Sequence, residues 1–304
     1  MEAATVQAST FERTLYDWIN SEDGRIKPSS HAAYLSILST HLLPELGTLP
    51  PQEITAARIS SLIREKSESL SPSTVCVIAA VLRHALRYAE EQGTNAACGV
   101  NGVPHIPKNR HQDIHVLSVT EQAALENVLR EDDPCDVGVL LALCTGLRVG
   151  ELCGLRWGDI AEKSAFLSVR RTAQRIRKPD GNGTELRFDT PKSVSSMRTI
   201  PIPHRVARCL ESLRAPDDCY VLTGSTRPLE PRTMQNRIKT YQRAAGLEPR
   251  NFHTLRHTFA TRWMEKGFDV KTLSRVLGHA DVATTLNVYV HPSLETMRGY
   301  MDQM

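Results

Sequence analysis

The chain has 304 residues, of which 40% are hydrophobic and 23% charged, and this allows one large or two ordinary globular domains with apolar cores. No stretch is apolar for long enough to span a bilayer, and the start lacks the basic-then-apolar pattern of a secretory signal. We therefore expect a cytoplasmic protein with no membrane partner. The formal net charge of +3 is too small to indicate nucleic-acid binding by itself.

Residues 1–95 predict a small bundle of four helices. Apolar positions recur there at three- and four-residue steps, with breaks near Gly24, Gly47 and Ser71. Residues 96–115 are instead rich in glycine, proline, asparagine and basic residues and show no apolar period. We expect this second segment to be a basic inter-domain linker, free to run along a phosphate backbone.

Residues 116–304 predict a second domain, mainly helical, with a small antiparallel sheet around residues 166–203. Thr120 can cap its first helix. An apolar run then ends at Gly146, and a new helix opens around Glu151 that we expect to end near Asp159.

The turn between those two helices presents Arg148. Arginine is a planar fork of donors that stays charged at any working pH, so it suits a phosphodiester that gains negative charge in its transition state. Glu151 lies inside the forming helix, and we interpret it as a buried partner of an arginine or of backbone groups, not as a general base.

Basic residues gather in two regions of this second domain. They are Arg170, Arg171, Arg175, Arg177 and Lys178, then Arg227, Arg232, Arg237, Lys239 and Arg243. Such groups can supply salt-sensitive contacts to DNA phosphates. Charge alone, however, favours the simpler alternative of solvated helix and hairpin faces.

The last fifty residues hold a second set of candidate site residues. His253 and Arg256 are three positions apart, so on a helix they share one face and can bind one anion together. His279 follows a glycine that indicates a helix end, and its ring should face the same pocket. Tyr289 comes next, while we interpret His257 as a core histidine.

The seven cysteines show no CxxC or Cys/His metal spacing, which favours reduced, mostly buried thiols. The sequence also lacks a P-loop, paired carboxylates at metal-binding spacing and a zinc pattern. We therefore expect no cofactor, neither a nucleotide nor a metal.

Taken together, these motifs resemble the tyrosine recombinases, also called phage-type integrases. The resemblance is carried by residues 145–152 (TGLRVGEL), 253–261 (HTLRHTFAT), 277–279 (LGH) and Tyr289, in the order and rough spacing of the family. It implies a SAM-like core-DNA-binding domain followed by an α+β catalytic domain. It further implies a nucleophile at Tyr289, a phosphate clamp from Arg148 and Arg256, and supporting roles for His253 and His279.

The resemblance also implies a lysine on a β-hairpin between the two arginines. Residues 165–170 predict a strand, residues 180–183 a turn and residues 185–188 a further strand. The polar turn that follows contains Lys192. We interpret Lys192 as the general acid that protonates a leaving 5′ oxygen.

The implied reaction is site-specific recombination. Attack by Tyr289 on a DNA phosphodiester would give a 3′-phosphotyrosyl intermediate, which keeps the bond energy until a 5′ hydroxyl rejoins the strands. The resemblance implies a homo-tetramer on two duplexes with specific core sites, assembled through the tail that carries Leu294, Met297 and Met301 and acting on the nucleoid. A DNA-bending accessory protein or a directionality factor is a further candidate partner.

We favour an integrase of a phage or other mobile element, with a chromosome-dimer-resolving, Xer-like recombinase as the alternative. A type IB topoisomerase, a telomere resolvase and an architectural DNA-binding protein fit the sequence less well. Only about ten residues precede the first predicted helix. Either an arm-binding domain is absent or the chain is part of a longer protein.

Overall fold

The computed structural model describes residues 10–93, 98–106, 115–178, 183–189, 196–289, 298 and 301–302. The chain divides into two units, Met1–Gln112 and Asp113–Met304, and each is described by itself. Lys192 and most of the tail after Tyr289 lie outside the described residues. Within the described part, no helix has the length and apolar character needed to cross a membrane.

The N-terminal unit is helical, and the predicted four-helix bundle is confirmed. Helix α2 continues through a π-helical turn into the short helix α3, so the two together form the second predicted helix. The helices are α1 (Phe11–Ser21), α2 (Pro28–Ile37), α3 (Leu43–Leu46), α4 (Ala56–Ser69) and α5 (Pro72–Glu91).

Side chains at the breaks between these helices explain where the helices begin. The hydroxyl of Thr55 accepts a hydrogen bond from the Arg58 amide at the start of α4, and Ser71 does the same for Thr74 at the start of α5. The apolar faces behind these caps meet in one core, in which Phe11, Leu15 and Ile19 of α1 are fully buried. Burial of these faces holds the bundle together.

Part of the expected linker packs onto this bundle. Cys98 and Val103 belong to its core, and Arg83 donates a hydrogen bond to the Pro104 carbonyl at 2.9 Å. Residues 98–106 are therefore structured against α5 instead of running freely between the units. Residues 94–97 and 107–114 lie outside the described residues.

The C-terminal unit is built around α7, which is buried along almost its whole length. Its described helices are α6 (Val119–Asn127), α7 (Pro134–Thr145), α8 (Val149–Cys153), α9 (His204–Ser212), α10 (Pro231–Ala244), α11 (His253–Glu265), α12 (Val270–Leu277) and α13 (Val282–Tyr289). Helix α11 packs on α7, and α12 and α13 pack on each other and on α11.

Two predicted helix boundaries in this unit are wrong. Ser118, not Thr120, caps α6, because the Ser118 hydroxyl accepts from the Glu121 amide while the Glu121 carboxylate accepts from the Ser118 amide. Helix α8 ends at Cys153, well before Asp159. The Asp159 carboxylate instead binds the guanidinium of Arg171, at 2.6 Å.

The predicted antiparallel strands between residues 166 and 203 are confirmed, as two separate pairs. Strand β1 (Phe166–Val169) pairs with β4 (Arg198–Pro201), and β2 (Thr172–Arg177) pairs with β3 (Thr184–Asp189). Helix α8 lies against β2 so closely that a Cβ on Gly150 would come within 2.6 Å of the Ala173 carbonyl oxygen. This contact sets the position of the turn that precedes α8.

Candidate active site

The site begins where α7 stops. Gly146 has a φ of 67°, the left-handed conformation that ends a helix, as its place in the sequence predicted. A Cβ there would lie 2.7 Å from Leu277 and 2.8 Å from Phe259, so only glycine fits without displacing them. The chain then turns at once into Arg148, the residue that precedes α8.

Glu151 holds this turn in place. Its carboxylate is buried and accepts hydrogen bonds from the Arg148 amide at 3.0 Å and from Arg148 Nη1 at 2.8 Å. It also accepts from Arg198 Nη1 at 3.1 Å and Nη2 at 2.9 Å. Burial acts to raise the carboxyl pKa, but Arg198 and Arg148 outweigh it and lower the pKa of Glu151. The predicted role of Glu151 as a buried partner of an arginine is confirmed.

Arg198 is a structural residue that the sequence analysis missed. It lies at the first position of β4, and its Nε donates to the Val276 carbonyl at 2.6 Å. The same guanidinium therefore ties Glu151 to the last turn of α12. Its neighbour there is Gly278, on which a Cβ would lie 2.8 Å from Arg198 Nη1. A buried carboxylate needs cationic partners, and Arg148 alone does not satisfy Glu151, so the sequence could have indicated a further cation beside it.

Arg256 is almost completely buried, with 1% of its surface exposed. It donates to the carbonyls of Gly146 and Leu277, each at 2.8 Å, and its Nη2 lies 2.8 Å from Nε2 of His279. Burial, followed by the charge of Arg148, lowers the pKa of Arg256 to about 9. The guanidinium is therefore still cationic at neutral pH, and the ends of α7 and α12 both hold it in place.

His279 follows the left-handed Gly278, so its ring lies at the end of α12, as the sequence predicted. A guanidinium can only donate, so Nε2 of His279 accepts from Arg256 and the ring proton is on Nδ1. Nδ1 lies 2.8 Å from the buried hydroxyl of Thr285 and donates to it. Burial, followed by Arg256 and Arg148, lowers the pKa of His279 to about 4, which keeps the ring neutral.

His253 is the first residue of α11 and is exposed, whereas Arg256 one turn later is buried. The two residues share the helix end that the sequence indicated, but they lie at different depths. The ring of His253 meets the ring of His257 edge to face, with centroids 4.5 Å apart. Partial desolvation, then His257 and Arg256, lower the pKa of His253.

Tyr289 closes the site in the same chain. It is the last residue of α13, it is half-buried, and its hydroxyl lies 2.8 Å from Nδ1 of His257. Burial raises the pKa of Tyr289, while the charges of Arg256 and Arg148 act in the opposite direction. His257, which the sequence suggested as a core histidine, is half-buried, because α13 returns over α11 and places the tyrosine hydroxyl against its ring.

The structure thus brings five of the six candidate residues to one end of the C-terminal unit, namely Arg148, His253, Arg256, His279 and Tyr289. Lys192 lies outside the described residues. Among the described residues, no group of histidine, cysteine, aspartate or glutamate side chains is arranged to hold a metal ion.

Several of the basic residues outside this site are engaged in ion pairs. Arg171 pairs with Asp159, and Arg175 pairs with Glu230. The first pair lies just before strand β2, and the second joins β2 to the residue that precedes α10. For these two arginines the structure favours an internal role over an open basic face.

An apolar cavity of about 870 Å³ opens beside the site, between β4 and helices α11 and α12. Its walls include Met197, Ile200, Phe259, Trp263 and Val276. Arg198 and His279 also line it, so the cavity adjoins the residues that hold Glu151 and Arg256.

Two family profiles match the chain. The phage integrase family matches residues 117–295, and the phage integrase N-terminal SAM-like domain matches residues 10–67. The first match covers more than half of the chain and includes every candidate site residue.

Individual proteins show the same similarity. The chain is 31% identical over 252 residues to a tyrosine recombinase XerC-like protein of Caldanaerobacter subterraneus, covering 73% of this chain and 63% of that protein. It is 32% identical over 244 residues to tyrosine recombinase XerA of Pyrococcus furiosus, covering 77% and 75%.

Among solved structures, the Tn1549 transposon integrase in complex with circular intermediate DNA aligns with a TM-score of 0.74. The alignment covers 97% of this chain and 99% of that one at 22% identity. At that identity the match establishes a shared fold.

Proposed function

Since this chain belongs to the phage integrase family of tyrosine recombinases, we propose that it cuts and rejoins double-stranded DNA at specific sites, with Tyr289 as the nucleophile. One observation carries the proposal. Arg148, Arg256 and His279 converge at the ends of α7 and α12, and the charges of both arginines act on the Tyr289 hydroxyl of the same chain.

This arrangement suits a phosphodiester in transition. Two guanidiniums facing one phosphate stabilise the negative charge that develops on its non-bridging oxygens. Arg256 is held by two backbone carbonyls and by His279, so little reorganisation is needed when the phosphate arrives. In our proposal His253, at the exposed start of α11, adds a hydrogen bond to the same oxygens, and His279 supports the site by holding Arg256 in position.

The proposed cleavage step forms a bond between the Tyr289 oxygen and phosphorus and breaks the bond to the 5′ oxygen. The leaving 5′ oxygen takes a proton from Lys192, and the 3′ end remains on the tyrosine. A 5′ hydroxyl of the partner strand then reverses the step. One phosphodiester is exchanged for another, so the reaction proceeds without an external energy source.

We propose a role for each segment of the chain. Residues 1–95 form the core-DNA-binding domain, as the match to the SAM-like domain supports, and residues 116–304 form the catalytic domain. Residues 96–115 connect the two, with residues 98–106 fastened to the first domain. Because DNA is its substrate, we propose that the protein acts on the nucleoid, with a DNA-bending or directionality protein as an additional partner.

We further propose that four copies assemble on two duplexes, with the tail of one copy occupying the apolar cavity of the next. The cavity supports this idea because Met197, Phe259 and Trp263 leave an open apolar surface beside the site. The tail carries apolar side chains at Leu294, Met297 and Met301 that would fill it. Docking there would press on β4 and α12 and so reach Arg198 and His279.

For the biological role we propose integration and excision of a phage or mobile element. A Xer-like recombinase is a second candidate, because the two curated relatives quoted above bear Xer names. The chain spans 63% of the length of the first of these and 75% of the second. Sequencing DNA trapped on the protein in cells separates the roles, since element ends indicate an integrase and one fixed chromosomal site indicates a Xer-like enzyme.

The reaction itself is tested with a suicide duplex whose cleaved strand carries a nick next to the scissile phosphate. We expect a covalent adduct in which the fragment upstream of the break is joined to the protein through its 3′ phosphate, and we expect Tyr289→Phe to lose the adduct while still binding DNA. Adduct formation by the phenylalanine variant contradicts the proposal. Relaxation of supercoiled plasmids without any specific site would instead support a type IB topoisomerase.

A further inference from the structure

His257 is the one histidine of this region that the proposed mechanism leaves without a task. Its Nδ1 lies 2.8 Å from the Tyr289 hydroxyl, and α11 and α13 hold the two rings 5.6 Å apart between centroids. We infer that His257 is the general base that takes the proton of Tyr289 when the tyrosine attacks DNA. This inference rests on the proposed function, because it assigns a role in the same reaction.

The other basic groups nearby are occupied. Both ring nitrogens of His279 are engaged, with Arg256 and with Thr285. The carboxylate of Glu151 is engaged by two arginines. His253 contacts the ring of His257 edge to face, and the proposed function assigns it to the phosphate oxygens.

His257 is also in the right protonation state to accept. Burial and the charge of Arg256 lower the pKa of His257, so the ring is neutral at pH 7 and one nitrogen carries a lone pair. With the ring proton on Nε2, Nδ1 accepts from the phenol. A bound phosphate would offset the charge of Arg256 and strengthen His257 as a base, so the tyrosine becomes most reactive when DNA is in place.

The proton and electron balance of the step is complete. The O–H bond of Tyr289 breaks, its proton goes to Nδ1 of His257, and the phenolate oxygen bonds to phosphorus. The bond between phosphorus and the 5′ oxygen breaks, and that oxygen keeps the electron pair and takes a proton from the general acid. On rejoining, the His257 imidazolium returns its proton to Tyr289.

The test is single-turnover cleavage of the suicide duplex by the full chain. His257→Asn places an amide where Nδ1 was, so it can accept the hydrogen bond but cannot take the proton. We expect cleavage about 100-fold slower than in the unaltered protein, with unchanged DNA binding as the check on folding. Cleavage by this variant within about threefold of the unaltered rate overturns the inference, because a general base typically contributes 10²- to 10⁴-fold.

A second variant separates proton transfer from simple positioning. His257→Gly leaves room for free imidazole, and we expect added imidazole to restore at least about a tenth of the lost rate, as far as a diffusible base can replace a fixed one. Replacing Tyr289 with 3-fluorotyrosine, whose phenol is more acidic, should increase the cleavage rate of His257→Asn more than that of the unaltered protein. Absence of both effects assigns His257 a packing role and overturns the inference.

The two hypotheses fail in different ways. An adduct formed by Tyr289→Phe removes the proposed function and this inference with it. Loss of the adduct in Tyr289→Phe together with fast cleavage by the His257 variants removes only the inference.

Discussion

Replacement of Glu151 by glutamine should weaken the C-terminal unit more than any surface carboxylate can. The carboxylate is 4% exposed and accepts four hydrogen bonds, two from Arg148 and two from Arg198. Glutamine has nearly the same shape but no charge, so the buried guanidinium of Arg198 and the partly exposed one of Arg148 lose their counter-ion. Removing one partner of a buried ion pair costs about 3–5 kcal/mol, and we expect the lower end, about 3 kcal/mol, because the amide keeps some hydrogen bonds.

For a unit of this size, 1 kcal/mol shifts the midpoint of thermal unfolding by about 2–4 °C, so Glu151→Gln should lower it by about 6–12 °C. Glu265→Gln is the matched control. Glu265 pairs with Arg262 on the surface of the same unit, and its loss should cost less than about 1 kcal/mol. The assay is calorimetric or denaturant unfolding of both variants at pH 7. Equal midpoints for Glu151→Gln and Glu265→Gln would refute the reasoning.

The pH dependence of this difference has a defined sign. The pKa of Glu151 is lower in the folded protein than its ordinary value of 4.5, so its stabilisation is complete above 4.5. It is lost as the pH falls through the folded pKa. The stability gap between the unaltered protein and Glu151→Gln should therefore shrink below pH 4.5 and be constant above it.

Three further predictions concern other parts of the site. Gly146→Ala should destabilise the C-terminal unit by about 2–4 kcal/mol, because backbone strain adds to the clash with Leu277 and Phe259. Gly246→Ala, at a similar φ but in open space, should cost only about 1–2 kcal/mol, and equal losses in urea unfolding would rule out the clash. The NMR titration of His279 should have a midpoint near 4 in the free protein and a higher one with bound DNA, because the phosphate charge offsets that of Arg256. A midpoint of 6.5 without DNA would contradict the buried contact between His279 and Arg256. Lys192→Ala should slow cleavage about 10²- to 10⁴-fold, and the rate should recover on DNA with sulfur in place of the leaving 5′ oxygen, because a thiolate leaves without a proton. If the rate does not recover, Lys192 is not the general acid.

Features that depend on neighbouring residues could be predicted from the sequence. Gly146 and Gly278 both end helices in the left-handed conformation, since no other residue adopts it at so little cost. The cap of α6 also follows a local rule, because Ser118 lies three positions before Glu121 and forms the capping box that Thr120 does not.

Features that depend on distant residues could not be predicted. Arg198 meets Glu151 across 47 positions, and Tyr289 meets His257 across 32. A helix pattern shows which side chains share a face, but it does not show which second helix will cover that face. For this reason the motifs located the arginines and the tyrosine, whereas the partner of the tyrosine hydroxyl became visible only in the structure.

In the proposed reaction the oxygen of Tyr289 becomes joined to DNA phosphorus. The most direct measurement is mass spectrometry of the peptide that carries the DNA after trapping on the suicide duplex and digestion. We expect one modified peptide, with a 3′-linked nucleotide on the Tyr289 oxygen. A nucleotide on any other side chain, or a 5′ linkage on Tyr289, would contradict it.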